Sequence, residues 1–150
     1  MHPLIRSASF AGGLLLCALA AQAATPLPNW KNFAALDTVQ VVTADDDEEH
    51  TRRETTVWLA VHDGQGYIRT GATAWGGNVR RDPQVVLIMN GVDYELRATP
   101  IPEGPLYEAV TQVFRDKYGF SDALIGLFRG IGGTPTIFHL EGRESIPMGN

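Results

Sequence analysis

Residues 55–62 (TTVWLAVH) constrain the fold most. The run is rich in β-branched and aromatic residues, which suit an extended chain. Alternation puts Val57, Leu59 and Val61 on one face and Trp58, Ala60 and His62 on the other. Both faces are largely apolar. A strand of this kind must be covered on both sides, as in a closed or heavily covered sheet. Asp63-Gly64-Gln65-Gly66 follows as a turn with two glycines available for positive φ. Residues 67–70 (YIRT) then return as the next strand.

The same pattern continues along the chain. Residues 36–43 (LDTVQVVT) read as a strand. The acidic block Asp45, Asp46, Asp47, Glu48 and Glu49 cannot be packed inside without great cost, so it reads as the solvated tip of a long hairpin. A calcium loop is the sharper alternative, but the spaced D-x-D-x-D-G pattern is absent. Residues 75–81 read as a short helix ended by Asp82-Pro83. Residues 84–89 (QVVLIM) form a buried strand, Asn90-Gly91 a hairpin turn, and residues 93–98 the partner strand. Leu106, Tyr107, Val110, Val113, Phe114 and Tyr118 recur at helical spacing, and Gly119 caps that helix. Ser121 starts a second short helix through Phe128. Residues 135–140 (PTIFHL) close with a last strand. The expectation is an α+β fold: a small barrel of about six mostly antiparallel strands with two or three helices.

A chain of 150 residues, 44% hydrophobic, fits one domain with a real core. Its formal net charge of -5 argues against a nucleic-acid partner. Residues 1–23 read as a signal peptide: Arg6, an apolar stretch from Ala8 to Ala21, and cleavage after Ala23 at Ala21-Gln22-Ala23. The apolar stretch is short for a membrane span. Leu16 before Cys17 disfavours lipidation, and the lone Arg6 disfavours a twin-arginine route. The expectation is a periplasmic or secreted protein with no membrane association after cleavage. Cleavage removes Cys17, the single cysteine, which suits an oxidising compartment and excludes cysteine catalysis. Residues 24–35 then form an entry segment anchored by Trp30 and Phe33, residues 36–142 the barrel domain and residues 143–150 a tail.

No nucleophile or metal frame stands out. His50, His62 and His139 are far apart and fit no H-x-x-x-H spacing, so no metal is expected. His62 and His139 read as hydrogen-bonded structural histidines at strand ends. Ser121 and Ser145 lie outside G-x-S-x-G. Residues 67–81 hold the chemistry: Arg69, Thr70, Trp75, Asn78, Arg80 and Arg81 around Gly71, Gly76 and Gly77. Guanidinium groups, hydroxyls and free backbone N–H groups are what a phosphate needs, and a helix starting near Trp75 adds its positive end. A hairpin exit with solvated arginines is the bland alternative. Trp75 either covers a flat ring or caps the barrel.

The run VWLAVHDGQGYIRTG, followed by WGGNVRRDPQVVLIMNGVDYELRA, resembles the FMN-binding split-barrel superfamily. Pyridoxamine 5′-phosphate oxidases and deazaflavin-dependent nitroreductases belong to that group. The FRDKYG and TPTIFHL segments are similar to it as well, and the likeness covers about residues 36–142. The resemblance implies a split barrel, usually a homodimer, with FMN or a deazaflavin at the subunit interface. By position, Arg69 and Thr70 would approach the cofactor phosphate, Trp75 and Gly76 would form the phosphate-binding turn, and Asn78 and Arg80 would lie nearby. Trp75-Gly76 stands where oxidase members carry a basic pair. The implied activity is an oxidoreductase acting on a small molecule. The alternatives are a non-catalytic small-ligand-binding split barrel without flavin, and a structural barrel that binds nothing.

Overall fold

The computed structural model describes residues 27–128 and 133–143; the expected signal peptide (residues 1–23), residues 24–26 and 129–132, and the tail from residue 144 lie outside them. The described residues form strands β1 (Thr38–Ala44), β2 (Arg52–His62), β3 (Gln65–Thr70), β4 (Gln84–Met89), β5 (Val92–Pro100) and β6 (Thr136–Gly142). Helix α1 (Ala74–Arg81) joins β3 to β4, and helix α2 (Pro105–Phe128) joins β5 to β6. The strands close into a barrel in the order β1-β2-β3-β6-β5-β4, with every neighbouring pair antiparallel. The expected α+β barrel is therefore what the chain forms.

Local chemistry sets the tight turns. Asp63 and Gly64 have φ of 48° and 73°, and Asn90 and Gly91 have φ of 51° and 76°. Two successive positive φ values make the turn whose twist matches antiparallel strands, and Asp-Gly and Asn-Gly tolerate it best. One detail corrects the sequence reading. Gly66 lies inside β3, not in the turn, and its φ is not positive. Its role is steric: a Cβ there would stand 2.5 Å from the Trp30 ring. The β1–β2 hairpin is also longer than expected, pairing out to Ala44↔Arg52. The acidic residues occupy its tip as expected. Asp47 Oδ1 accepts from the Thr51 backbone N–H at 2.8 Å, and Arg53 forks onto both oxygens of Asp45 at 2.6 Å.

The core has two layers. Val39, Val41, Val57, Leu59, Ile68, Leu87 and their neighbours fill the barrel. Trp30 and Phe33, in a 3-10 turn (Trp30–Phe33), join that core from the Gly66 end of β3. Trp75 and Val79 of α1 join it from the Thr70 end. Outside the barrel, Tyr107, Val110 and Phe114 of α2 cover Ala60, Tyr67 and Ile137. This second layer explains why both faces of β2 are apolar. Gly119 takes φ 49° and ψ -120°, so α2 breaks where the sequence placed its cap.

Lys117 and Tyr118 sew the end of that first helical stretch to the barrel. Lys117 Nζ donates to the carbonyls of Ala34 at 3.0 Å, Leu59 at 2.9 Å and Leu36. Tyr118 Oη accepts from the Leu59 N–H at 3.0 Å and lies 2.6 Å from the Asp37 carbonyl. Burial lowers the Lys117 ammonium from its ordinary value and pushes the Tyr118 phenol up to about 12.

Candidate functional site

Divergence of two strands builds the site. The β2–β3 ladder runs from His62↔Gln65 to Leu59↔Ile68 and stops there. Beyond that point β2 continues to Arg52 against β1, while β3 continues to Thr70 against β6. The parted strands leave a cavity of about 340 Å³. Thr56, Val57 and Trp58 of β2 form one wall. Arg69 and Thr70 of β3, with Gly71, Thr73 and Trp75 leading into α1, form the other.

Arg69 is the one ionisable side chain in this lining. It is 7% exposed. Its guanidinium carbon lies 4.4 Å from the Phe114 ring centroid and 5.7 Å from that of Trp58. Aromatic faces stabilise a desolvated cation, by about 2 kcal/mol at such sites. Trp58 is itself stacked on Tyr118, at 4.4 Å and 6° between planes. Helix α2 thus fixes the cation directly through Phe114 and indirectly through Tyr118, which backs Trp58.

The polar edge is a short hydroxyl chain. Thr73 caps α1, its Oγ1 accepting from the Gly76 N–H at 3.2 Å. Thr73 Oγ1 is 2.5 Å from Thr70 Oγ1, and Thr70 donates to the Gly71 carbonyl at 3.2 Å. The first N–H groups of α1 lack intrahelical acceptors and carry the positive end of the helix. The lining thus brings together one buried guanidinium, the hydroxyls of Thr56, Thr70 and Thr73, and the start of α1.

The six residues singled out from sequence divide in the structure. Arg69, Thr70 and Trp75 line the cavity together. Gly76 lies beneath it: a Cβ there would meet Thr70 Cγ2 at 2.7 Å and Thr73 Oγ1 at 3.1 Å, so glycine lets α1 sit directly on β3. Asn78 turns away. Its buried amide donates to Thr43 Oγ1 at 3.1 Å and Asp45 Oδ1 at 2.7 Å, bracing α1 against the β1 hairpin. Arg80 also turns away, donating to Thr136 Oγ1 at 2.9 Å. Trp75 is 5% exposed and tilted against Phe138 at 6.2 Å, so its ring plugs the barrel as well as lining the cavity. Sequence reasoning missed Trp58, Phe114 and Thr73 as parts of this site. Phe114 was legible only as one of an apolar stripe whose target was unknown.

His62 and His139 are engaged structurally. His62 Nε2 lies 3.4 Å from the Asp63 carboxylate. His139 is held between Gln65 Oε1 at 3.1 Å and Glu141 Oε1 at 3.2 Å, with Tyr67 stacked on its ring. Among the described residues, no three metal-ligating side chains gather, and no helix is long and apolar enough to cross a membrane.

No family model and no curated protein matches the sequence. Solved structures do match the fold. The heme storage protein HutZ from Vibrio cholerae is similar with a TM-score of 0.60 at 14% identity, over 77% of this chain and 89% of that one. The conserved hypothetical protein Rv2991 from Mycobacterium tuberculosis gives 0.58 at 17% identity, over 82% and 85%. An F420-H2-dependent reductase, FDR-A, gives 0.54 at 15% identity, over 71% and 95%. The fold is the split barrel, as the sequence resemblance implied. At these identities the likeness defines architecture, and chemistry must be argued from the cavity.

Proposed function

We propose that this chain is a split-barrel oxidoreductase that binds a flavin-type cofactor, FMN or a deazaflavin, at the notch where β2 and β3 part. One observation carries the reading: a buried arginine, held on aromatic rings, lines a cavity that is otherwise neutral. The residues fit the phosphate end of such a cofactor. Arg69 would supply the charge-assisted donors, and Thr73 and Thr70 the hydroxyls. The cavity volume of about 340 Å³ is at the small end for ligand sites, so part of the cofactor would lie across its mouth. A second subunit would cover that part, which makes the working unit a homodimer. When bound, the flavin supplies the electron chemistry. The chain's residues bind and orient it, and no side chain in the lining needs to act as acid or base. Residues 1–23 would export the protein to the periplasm or medium, where it acts on a small molecule.

A second reading is favoured by one feature. Trp75-Gly76 opens α1 without a basic pair, leaving Arg69 as the lining's single cation. A weaker anion site of that kind suits a non-catalytic module for a small aromatic or anionic ligand.

The test is a visible absorbance spectrum of residues 24–150, with tryptophan quenching on addition of FMN and of a deazaflavin. Saturable, stoichiometric binding that weakens at least tenfold in Arg69→Gln supports the flavin reading. No flavin bound at high concentration, with the far-ultraviolet spectrum intact, removes it and leaves the ligand-binding module. Light scattering with and without cofactor reads the dimer, and N-terminal sequencing after expression with an export pathway reads the cleavage.

A further inference from the structure

A second cavity, of about 230 Å³, lies against the C-terminal half of α1. Its apolar surface comes from Val79, Pro83, Ala98, Pro100 and Phe138. Arg80 reaches it from α1, and Arg97 and Thr99 from β5. It shares no lining residue with the notch.

Arg53 is paired with Asp45, Arg81 with Asp46, Arg52 with Glu54 and Arg143 with Glu95. Arg80, Arg97 and Arg115 form no ion pair among the described residues, although the chain carries 17 acidic side chains against 12 basic ones; of these three, Arg80 and Arg97 meet at one cavity and Arg115 lines neither. Arg80 is held instead by the neutral hydroxyl of Thr136. That bond uses one guanidinium donor and leaves the charge uncompensated. A basic residue in the last turn of a helix has an ordinary explanation in the helix dipole, and this covers Arg80. It does not cover Arg97, which is on a strand and comes to the same cavity; Glu141 stands opposite it in the β5–β6 register, but that carboxylate is engaged by Thr99 Oγ1 at 2.9 Å and His139 Nδ1 at 3.2 Å and forms no ion pair with Arg97.

We infer that this cavity is a second ligand site, for a small organic anion: a carboxylate or phosphate monoester on a short apolar body. The two guanidinium groups would take the anionic end, and Phe138 and the two prolines the apolar end. Its volume is below the usual range of about 300–1,000 Å³ for drug-sized ligands, so the body is no larger than a single ring or a short chain. The ligand would also be sensed at the notch. Phe138 lines this cavity and packs on Trp75, which lines the other.

The experiment is a titration of the full chain with benzoate, phenyl phosphate and the neutral analogue benzamide, followed by nitrogen-edited NMR of the arginine side chains. Saturable shifts at Arg80 and Arg97 with either anion are expected, with benzamide at least tenfold weaker. Which anion binds tighter separates carboxylate from phosphate as the recognised group. Arg97→Gln, at an exposed position, should weaken binding about tenfold with the thermal melt unchanged. Arg69→Gln should leave it within twofold, which separates this site from the notch whether or not flavin binds there. Equal affinity for benzamide, unchanged affinity in Arg97→Gln, or no saturable shift at either arginine would overturn the inference.

Discussion

Replacing Gly66 with alanine tests how the entry segment closes the barrel. Gly66 sits in β3 opposite Val61 and Leu140. A Cβ there would stand 2.5, 2.5 and 2.6 Å from three atoms of the Trp30 ring. Two effects compete. The backbone is not in a positive-φ conformation, so alanine removes unfolded-state freedom and gains about 0.5–1 kcal/mol. Overpacking costs about 1–3 kcal/mol. Trp30 is only 6% exposed and belongs to the barrel core, so its ring cannot swing aside cheaply and the upper half of that range applies. The net expectation is a loss of about 1–2 kcal/mol, or roughly 4–10 °C in Tm for a domain of this size. Trp30→Leu costs stability by itself, but it empties the space above Gly66. In that background Gly66→Ala should be neutral or stabilising. Urea denaturation of the four proteins, with m unchanged, gives the coupling, expected to exceed about 1 kcal/mol. If Gly66→Ala stabilises the wild-type background, or if the two changes simply add, Trp30 is not seated on Gly66 and the reasoning fails.

Other perturbations read other joints. The Tyr118 phenol is raised to about 12 by burial, so the folded state holds its proton more tightly; its stabilisation is complete below pH 10 and is lost as pH rises through about 12, on the order of 2 kcal/mol. Lys117 is lowered from 10.5 and acts with the opposite sign below that pH, so the difference between wild type and Tyr118→Phe in urea midpoints from pH 9 to 12 isolates the phenol. Thr73→Ala removes the α1 cap and should cost about 1 kcal/mol, with Thr73→Ser recovering most of it in thermal melts. Asn78→Ala leaves Thr43 and Asp45 without their amide donor and should cost about 1–3 kcal/mol. Hydrogen exchange should show the loss first at residues 45–51, and uniform loss across the barrel would contradict a local brace.

Local chemistry was legible in the sequence, and convergence was not. Asp63-Gly64 and Asn90-Gly91 announce their turns because φ is set within two residues. The two apolar faces of residues 55–62 announce a covered strand because alternation is a property of the strand itself. Insertion of β6 between β3 and β5 joins residues about 70 apart in sequence, and nothing local encodes it. The site shows the same boundary. Arg69 and Thr70 were legible as the end of a strand beside a glycine-rich link. Asn78 and Arg80 were legible as polar groups nearby, but their directions depend on which face of α1 is buried. Trp75 and Val79, four residues apart, turn that face into the barrel. This leaves Asn78 toward β1 and Arg80 toward β6. Gly66 was misread as a turn residue because its reason for being glycine, the Trp30 ring, comes from 36 positions earlier.

Helix α1 contributes to both cavities, and three strands hold it. Gly76 seats its start on β3 through Thr70, and Arg80 ties it to β6 through Thr136. Asn78 and Arg81 tie its other side to the β1 hairpin through Asp45, Ala44 and Asp46. The last tie is the one pH can release. Hydrogen bonds from Arg53 and Asn78 hold the Asp45 carboxyl below its ordinary value. A carboxyl lowered in the folded state contributes stability above its unfolded value near 3.8, and loses it as pH falls through its folded value. Protonation weakens the bonds from Arg53 and Asn78 together. The groups filling the barrel are aliphatic and aromatic and do not titrate there. Acid should therefore loosen the hairpin from α1 while the barrel stays closed. Hydrogen exchange at pH 3 would show faster exchange at residues 43–53 than at residues 57–61, and equal loss at both would mean that the hairpin and barrel open as one unit.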